Sequence, residues 1–131
     1  MELTNMEYKE PTVILDPGES GTFFRVLWNE DLIKRWVSET HTHLHLDGIQ
    51  SGVCAFGSPR GVATYAEENS HPNTFHYVTF LGTVIRYIGK EAEPGAYIVN
   101  VDHWERSILS YQEILNMVIE EESAEPNNNE A

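Results

Sequence analysis

The stretch TFHYVTFLGTVIRYI, residues 74–88, decides the fold class that this sequence predicts. Two runs rich in β-branched and aromatic residues, TFHYVTF (74–80) and TVIRYI (83–88), lie on either side of Leu81-Gly82. Runs of this kind favour β-strands, and a Gly-containing pair between them is typical of a turn. The stretch therefore predicts a β-hairpin, and with it an antiparallel sheet.

Other segments share this strand-like composition. They are PTVIL (11–15), TFFRVLW (22–28), THTHLHL (40–46), GVCAF (52–56), GVATY (61–65) and AYIV (96–99). The segment DPGESG between the first two predicts a turn, because it combines Pro, Gly, Asp and Ser. GVCAF and GVATY flank GSPR, which predicts a second hairpin with Pro59 in its turn. AYIV is predicted to be an edge strand.

Two segments have a helical period instead. In NEDLIKRWVSET (29–40), apolar residues fall on one face after a capping Asn29. Near the C-terminus, Asp102 and Glu105 have the spacing of a capping box. The residues that then recur at steps of four and three are Trp104, Ile108, Tyr111, Leu115 and Val118. This stripe predicts a long C-terminal helix packed against the sheet.

The order of these elements predicts an α+β fold. We expect an antiparallel, meander-like sheet with an N-terminal helix and a long C-terminal helix packed on one face. Residues 1–119 have the length of a single domain. Residues 120–131 are acidic and carry almost nothing apolar, which predicts a disordered tail.

Charge limits the classes of partner. The chain has 21 acidic and 8 basic residues, for a formal net charge of −13. Such a charge repels nucleic acid and anionic membranes, and it favours a basic protein partner. The start of the chain does not resemble a signal peptide, and no apolar run approaches the roughly 20 residues of a membrane span. We therefore expect a cytoplasmic protein, in which the single cysteine, Cys54, is a buried and reduced thiol.

The histidine run HTHLHL (41–46) has two interpretations. On a strand, His43 and His45 lie about 7 Å apart on one face and can share a metal ion. Alternatively, the histidines form a solvated face while Leu44 and Leu46 face the core. We favour the solvated face, because His41 and His45 are about 13 Å apart and cannot join the same ion. No metal or other cofactor is therefore predicted.

No other catalytic motif is present. The sequence has no Gly-rich phosphate loop, nucleophile elbow or His-Glu-x-x-His pattern, which predicts a protein without enzymatic activity. Contacts with a basic partner are expected from acidic and aromatic groups on loops at the sheet edge. The candidate partner-binding residues are Asp47, Tyr65, Glu67, Glu68 and Asn69. Tyr65 is the aromatic anchor of this set, although inward packing is the more common role for a strand tyrosine.

The order of segments resembles that of one large family of bacterial immunity proteins, the antidotes of polymorphic toxins. The resemblance covers residues 40–119 and rests on THLHLDGIQSGVCAFGSPRGVATYAEEN (42–69) and TVIRYIGKEAEPGAYIVNVDHWERSILSYQEIL (83–115). The matching parts are Gly61 to Tyr65, Glu67 to Asn69, Val84 to Tyr87, Pro94 and Val101 to Leu115.

The resemblance implies a function. Such proteins are inhibitors that bind and block a cognate toxin, commonly a nucleic-acid-processing enzyme, and the acidity of this chain suits a basic toxin groove. Two alternatives remain open at this level. One is a phage-type antagonist of a host defence protein, which the neighbouring genes would distinguish. The other is a small metal-binding barrel enzyme that uses His43 and His45, which metal analysis would distinguish.

Overall fold

The computed structural model describes residues 7–27, 53–69 and 72–124, with the backbone alone for residues 103–107 and 124. The described elements are β1 (Ser20–Leu27), β2 (Val53–Phe56), α1 (Pro59–Glu68), a 3-10 turn (Pro72–Thr74), β3 (His76–Tyr87), β4 (Ala96–Leu109) and α2 (Tyr111–Ala124). The α+β class is thus confirmed. The predicted helix at 29–40 and the predicted histidine strand at 40–46 lie outside the described residues.

The four described strands form a closed antiparallel barrel in the order β1-β2-β4-β3. β3 pairs with β1 along its first eight residues and with β4 on its other side. β2 pairs with β4 and joins β1 at the single position Phe24↔Phe56, which closes the barrel. The sheet is antiparallel as predicted, but it is a barrel and not a meander, because β2 lies between β1 and β4.

The predicted hairpin at Leu81-Gly82 is wrong. Residues 76–87 form one continuous strand, whose pairing with β4 shifts register between Leu81 and Gly82. A Cβ atom on Gly82 would lie 2.8 Å from the backbone oxygen of Asn100. Glycine is therefore needed here for close approach of two backbones and not for a turn. The segment AYIV is also not an edge strand, because it begins β4 and pairs with both β2 and β3.

GVATY is helical, so the second predicted hairpin is wrong as well. The strand at Val53–Phe56 is confirmed, but residues 59–68 form α1. The hydroxyl of Ser58 accepts a hydrogen bond from the Gly61 N–H at 3.1 Å, and Pro59 occupies the first turn. These are helix-start signals. Burial of Val62, Ala63 and Ala66 on one face then holds α1 against the barrel.

The C-terminal helix begins eight residues later than predicted. Ser110, and not Asp102, is the cap: its hydroxyl accepts from the Glu113 N–H at 3.2 Å, and its N–H donates to the Glu113 carboxylate at 3.0 Å. Trp104 and Ile108 belong to β4. In α2 itself, Tyr111 and Val118 of the predicted stripe are buried together with Ile114, while Leu115 is half-buried.

The two ends of the described chain also differ from expectation. α2 continues to Ala124, so residues 120–124 are helical and not part of a disordered tail; residues 125–131 lie outside the described set. PTVIL (11–15) is not a strand. The turn after it is confirmed by the Glu19 N–H bond to the Asp16 oxygen at 3.0 Å and by the positive φ of 94° at Gly18.

The core has two layers. Among the described residues, the buried cluster of the barrel interior is formed by strand residues: Phe23, Leu27, Ala55, Val78, Phe80, Val84, Tyr97, Val99 and Val101. Leu15 of the N-terminal segment packs against this cluster. The second layer fills the space between the helices and the barrel: Phe24, Val26, Phe56, Val62, Ala63, Ala66, Tyr77, Ala96, Tyr111, Ile114 and Val118. Within the described residues, neither helix has the length and apolar character that a bilayer span requires.

Candidate functional site

Four of the five predicted partner-binding residues lie together at the C-terminal end of α1. Glu67, Glu68 and Asn69 are exposed, and Tyr65 is half-buried one turn earlier. Their setting differs from the prediction, because they end a helix and do not form a loop after a strand. Asp47 lies outside the described residues.

The carboxylate of Glu67 is held in place by α2. The hydroxyl of Tyr111 donates a hydrogen bond to Glu67 Oε2 at 2.5 Å. The Tyr111 ring is buried, and burial together with this bond raises the pKa of Tyr111 above its ordinary value. Glu67 therefore presents an exposed negative charge on a fixed support.

Glu68 lies beside a second tyrosine, Tyr8, from the N-terminal segment. The Tyr8 ring stacks on Phe56 with centroids 6.2 Å apart. Its hydroxyl oxygen is buried and lies near the Glu68 carboxylate. Burial raises the pKa of Tyr8, and the nearby carboxylates of Glu68 and Glu93 raise it further. Two carboxylates thus surround one phenol at this end of α1.

Asn69 has a structural role. Its side-chain amide donates to the Tyr65 carbonyl at 2.7 Å, and its backbone N–H donates to the Ala66 carbonyl at 3.2 Å. Both bonds satisfy carbonyl groups of the last turn of α1, which otherwise lack helical partners. Asn69 therefore ends the helix and fixes the position of the two glutamates before it.

Tyr65 forms part of a cavity wall next to this surface. The cavity has a volume of about 280 Å³ and is lined by Arg25, Val26, Cys54, Phe56, Tyr65 and Glu93. The Tyr65 ring lies 5.6 Å from the Phe56 ring, centroid to centroid. Burial raises the pKa of Tyr65, with Glu93 as the next contribution and Arg25 opposing it. The Tyr65 side chain thus packs inward, as strand tyrosines commonly do, although Tyr65 lies on a helix.

Arg25 is the basic residue of this cavity, and the sequence did not single it out as a site residue. Its Nη1 atom donates to the Cys54 carbonyl at 2.6 Å, and burial lowers the pKa of its guanidinium. No carboxylate of the described residues forms an ion pair with it. A signal was present in the sequence, because Arg25 is the one charged residue in the apolar run TFFRVLW.

Cys54 is exposed, which corrects the prediction of a buried thiol. It nevertheless lines the cavity, where partial burial raises the pKa of its thiol and the Arg25 charge opposes that rise. The pKa of the Cys54 thiol is raised overall, so the thiol is protonated at neutral pH. A catalytic cysteine has a lowered pKa instead.

A second cavity, of about 210 Å³, lies between the N-terminal segment, the start of α1 and the end of α2. Its wall is held by internal bonds: Arg60 pairs with Glu122 and donates to the Glu7 carbonyl at 3.0 Å, and the Leu15 N–H donates to the Tyr97 hydroxyl at 3.1 Å. These contacts attach the N-terminal segment to the barrel and to α1, and they join α1 to α2.

The described residues contain no group of three or more His, Cys, Asp or Glu side chains placed to hold a metal ion. His41, His43 and His45 lie outside this part of the chain. Comparisons of the chain with protein-family models, with curated proteins and with solved structures find no match.

Proposed function

We propose that this protein is a non-enzymatic acidic inhibitor that binds and blocks the basic catalytic domain of a cognate toxin. One observation carries the proposal: Glu67 and Glu68 are exposed side by side at the end of α1, with Glu67 fixed by Tyr111. The toxin class, a nucleic-acid-processing enzyme, follows from the resemblance of residues 40–119 to bacterial immunity proteins. We further propose that the inhibitor acts in the cytoplasm, where such a toxin has its substrate.

Electrostatics favours this type of partner. A catalytic groove for nucleic acid is lined with basic residues, because it must attract phosphates. A chain with a net charge of −13 is attracted to such a groove at long range, which increases the association rate. The same charge repels nucleic acid itself. The charge of this protein therefore favours binding to the nucleic-acid-processing enzyme over binding to the nucleic acid.

The local structure favours binding over a merely solvated acidic face. A carboxylate that is already fixed loses little conformational freedom when a lysine or arginine of the partner pairs with it. Tyr8 and Tyr65 adjoin the two glutamates, and tyrosine is enriched among residues that dominate interface energies. The described end of α1 thus combines fixed charge with aromatic surface.

The test uses the toxin domain encoded beside the gene for this chain. Binding and inhibition of that domain are measured for the native protein and for Glu67→Gln with Glu68→Gln. Losing two carboxylates paired with partner cations is expected to weaken binding by at least about 30-fold, since breaking even one such pair costs about 2–5 kcal/mol. The association rate of the native protein is expected to fall as salt rises.

Glu91→Gln with Glu120→Gln is the matched control. It removes the same charge from exposed positions on the β3–β4 connection and on α2. Equal affinity of the two double variants would mean that the end of α1 is not the contact surface. A neighbouring toxin domain whose activity is unchanged by excess protein would contradict the proposed function.

A further inference from the structure

The cavity beside α1 contains a positive charge that the described residues leave without an anionic partner. The Arg25 guanidinium comes from β1, and its only hydrogen bond within the described residues goes to the backbone carbonyl of Cys54. Arg25 is only partly exposed, and this burial lowers the pKa of its guanidinium. About 280 Å³ of open space adjoins it.

A desolvated charge is costly unless an opposite charge or several hydrogen bonds compensate it. A guanidinium has five N–H donors in a planar fork, and one carbonyl satisfies only part of that capacity. The fork matches the two oxygens of a carboxylate, which accept parallel hydrogen bonds from it. The open space next to Arg25 is thus where an anionic oxygen pair would be stabilised.

We propose that this cavity binds a small monocarboxylate, with its carboxylate on Arg25 and a short apolar body against Val26 and Phe56. The volume lies just below the usual range for ligand pockets, about 300–1,000 Å³, so the ligand has only a few carbon atoms. Glu93 on the wall and the net charge of −13 disfavour a dianion such as phosphate. Tyr65 lines this cavity, whereas the exposed Glu67 and Glu68 of the proposed inhibitor surface do not.

Cys54 supplies a direct readout, because it lines the cavity and is the only cysteine of the chain. The alkylation rate of the full chain by neutral iodoacetamide is measured by mass spectrometry at constant ionic strength. Propionate and butyrate are expected to slow the reaction saturably. Propionamide, which has the same shape without the charge, is expected to leave the rate unchanged, and inorganic phosphate is expected to protect less than propionate.

Variants of Arg25 test the assigned contact. In Arg25→Met, protection by propionate is expected to disappear, whereas Arg25→Lys keeps the charge and retains part of it. The rate ratio of anionic iodoacetate to neutral iodoacetamide should also fall about fivefold in Arg25→Met, which corresponds to about 1 kcal/mol of lost attraction. Arg86→Met is the matched control, because it removes an exposed arginine that pairs with Glu91 and does not line the cavity.

Two results would overturn the site. Equal effects of propionate and propionamide on the native chain would show that the charge of the ligand is irrelevant. Protection that persists in Arg25→Met would show that the carboxylate binds elsewhere. If Arg25→Met does not fold, as circular dichroism would reveal, the comparison of propionate with propionamide on the native chain decides alone.

Discussion

The hydroxyl of Tyr111 donates a 2.5 Å hydrogen bond to the carboxylate of Glu67, a residue 44 positions earlier in the chain. This bond connects the first turn of α2 with the last turn of α1. At the opposite ends of the same helices, Arg60 pairs with Glu122. The two helices are therefore antiparallel and joined at both ends, so one glutamate both stabilises the helix pair and belongs to the proposed contact surface.

We expect Tyr111→Phe to lower the free energy of unfolding by about 1 kcal/mol, because it removes this hydrogen bond while keeping the buried ring. Urea denaturation measures the change. Gln112→Ala, at the exposed neighbouring position, is the control and should stay within about 0.5 kcal/mol of the native protein. If Tyr111→Phe is as stable as the native protein both alone and combined with Glu67→Gln, the bond contributes nothing to helix packing.

Alkaline pH is expected to destabilise the fold. Burial is the main cause that raises the pKa of Tyr8, Tyr77 and Tyr111 above the ordinary tyrosine value. Above about pH 10 the unfolded chain loses these protons while the folded chain keeps them, so stability is full below that pH and falls above it. The urea midpoint should therefore decrease as pH rises beyond about 10. The slope should be shallower in Tyr111→Phe, and an unchanged slope would contradict the role of Tyr111.

The capping box at the start of α2 gives a prediction about helix content. Ser110→Ala removes the acceptor for the Glu113 N–H and should cost about 0.5–2 kcal/mol. Asp102→Ala is the informative comparison, because Asp102 bonds to Thr83 within the barrel and does not cap the helix. Far-ultraviolet circular dichroism should show unchanged helix content for Asp102→Ala. A loss of helix there would place the helix start at residue 102.

Gly82→Ala tests the barrel. A methyl group at this position would meet the Asn100 oxygen at 2.8 Å and the Phe23 ring at 3.2 Å, both inside well-packed structure. Such overpacking typically costs about 1–3 kcal/mol, which thermal or urea unfolding measures. Leu81→Ala, on the exposed neighbouring residue, should have a much smaller effect. A native-like stability of Gly82→Ala would indicate that β3 and β4 are farther apart at this point.

The candidate site was only partly visible in the sequence. The run from Tyr65 to Asn69 could be selected as acidic and aromatic because these residues are adjacent in the chain. The tyrosines that contact the two glutamates, Tyr8 and Tyr111, could not be identified from the sequence, because they lie more than 40 residues away in the chain on either side. The same holds for Arg25 and Glu93, which share a cavity although they belong to β1 and to the β3–β4 connection.

Local chemistry determined several elements of the fold directly from sequence. The strands at Ser20–Leu27 and Val53–Phe56, the turn after Asp16 and the α+β class all follow from residue preference and hydrophobic pattern. The acidic character of the protein follows from composition alone. These features depend on neighbours in the chain, so no knowledge of distant contacts is required.

Only the tertiary structure decided what the ambiguous segments became. GVATY has β-branched and aromatic residues suited to a strand, yet it is helical, because a Ser58 cap starts a helix whose small residues pack closely on the barrel. Trp104 and Ile108 have helical spacing, yet they lie in β4, because pairing with β3 satisfies their backbone groups. Short apolar segments fit either structure, and burial against distant partners selects between them.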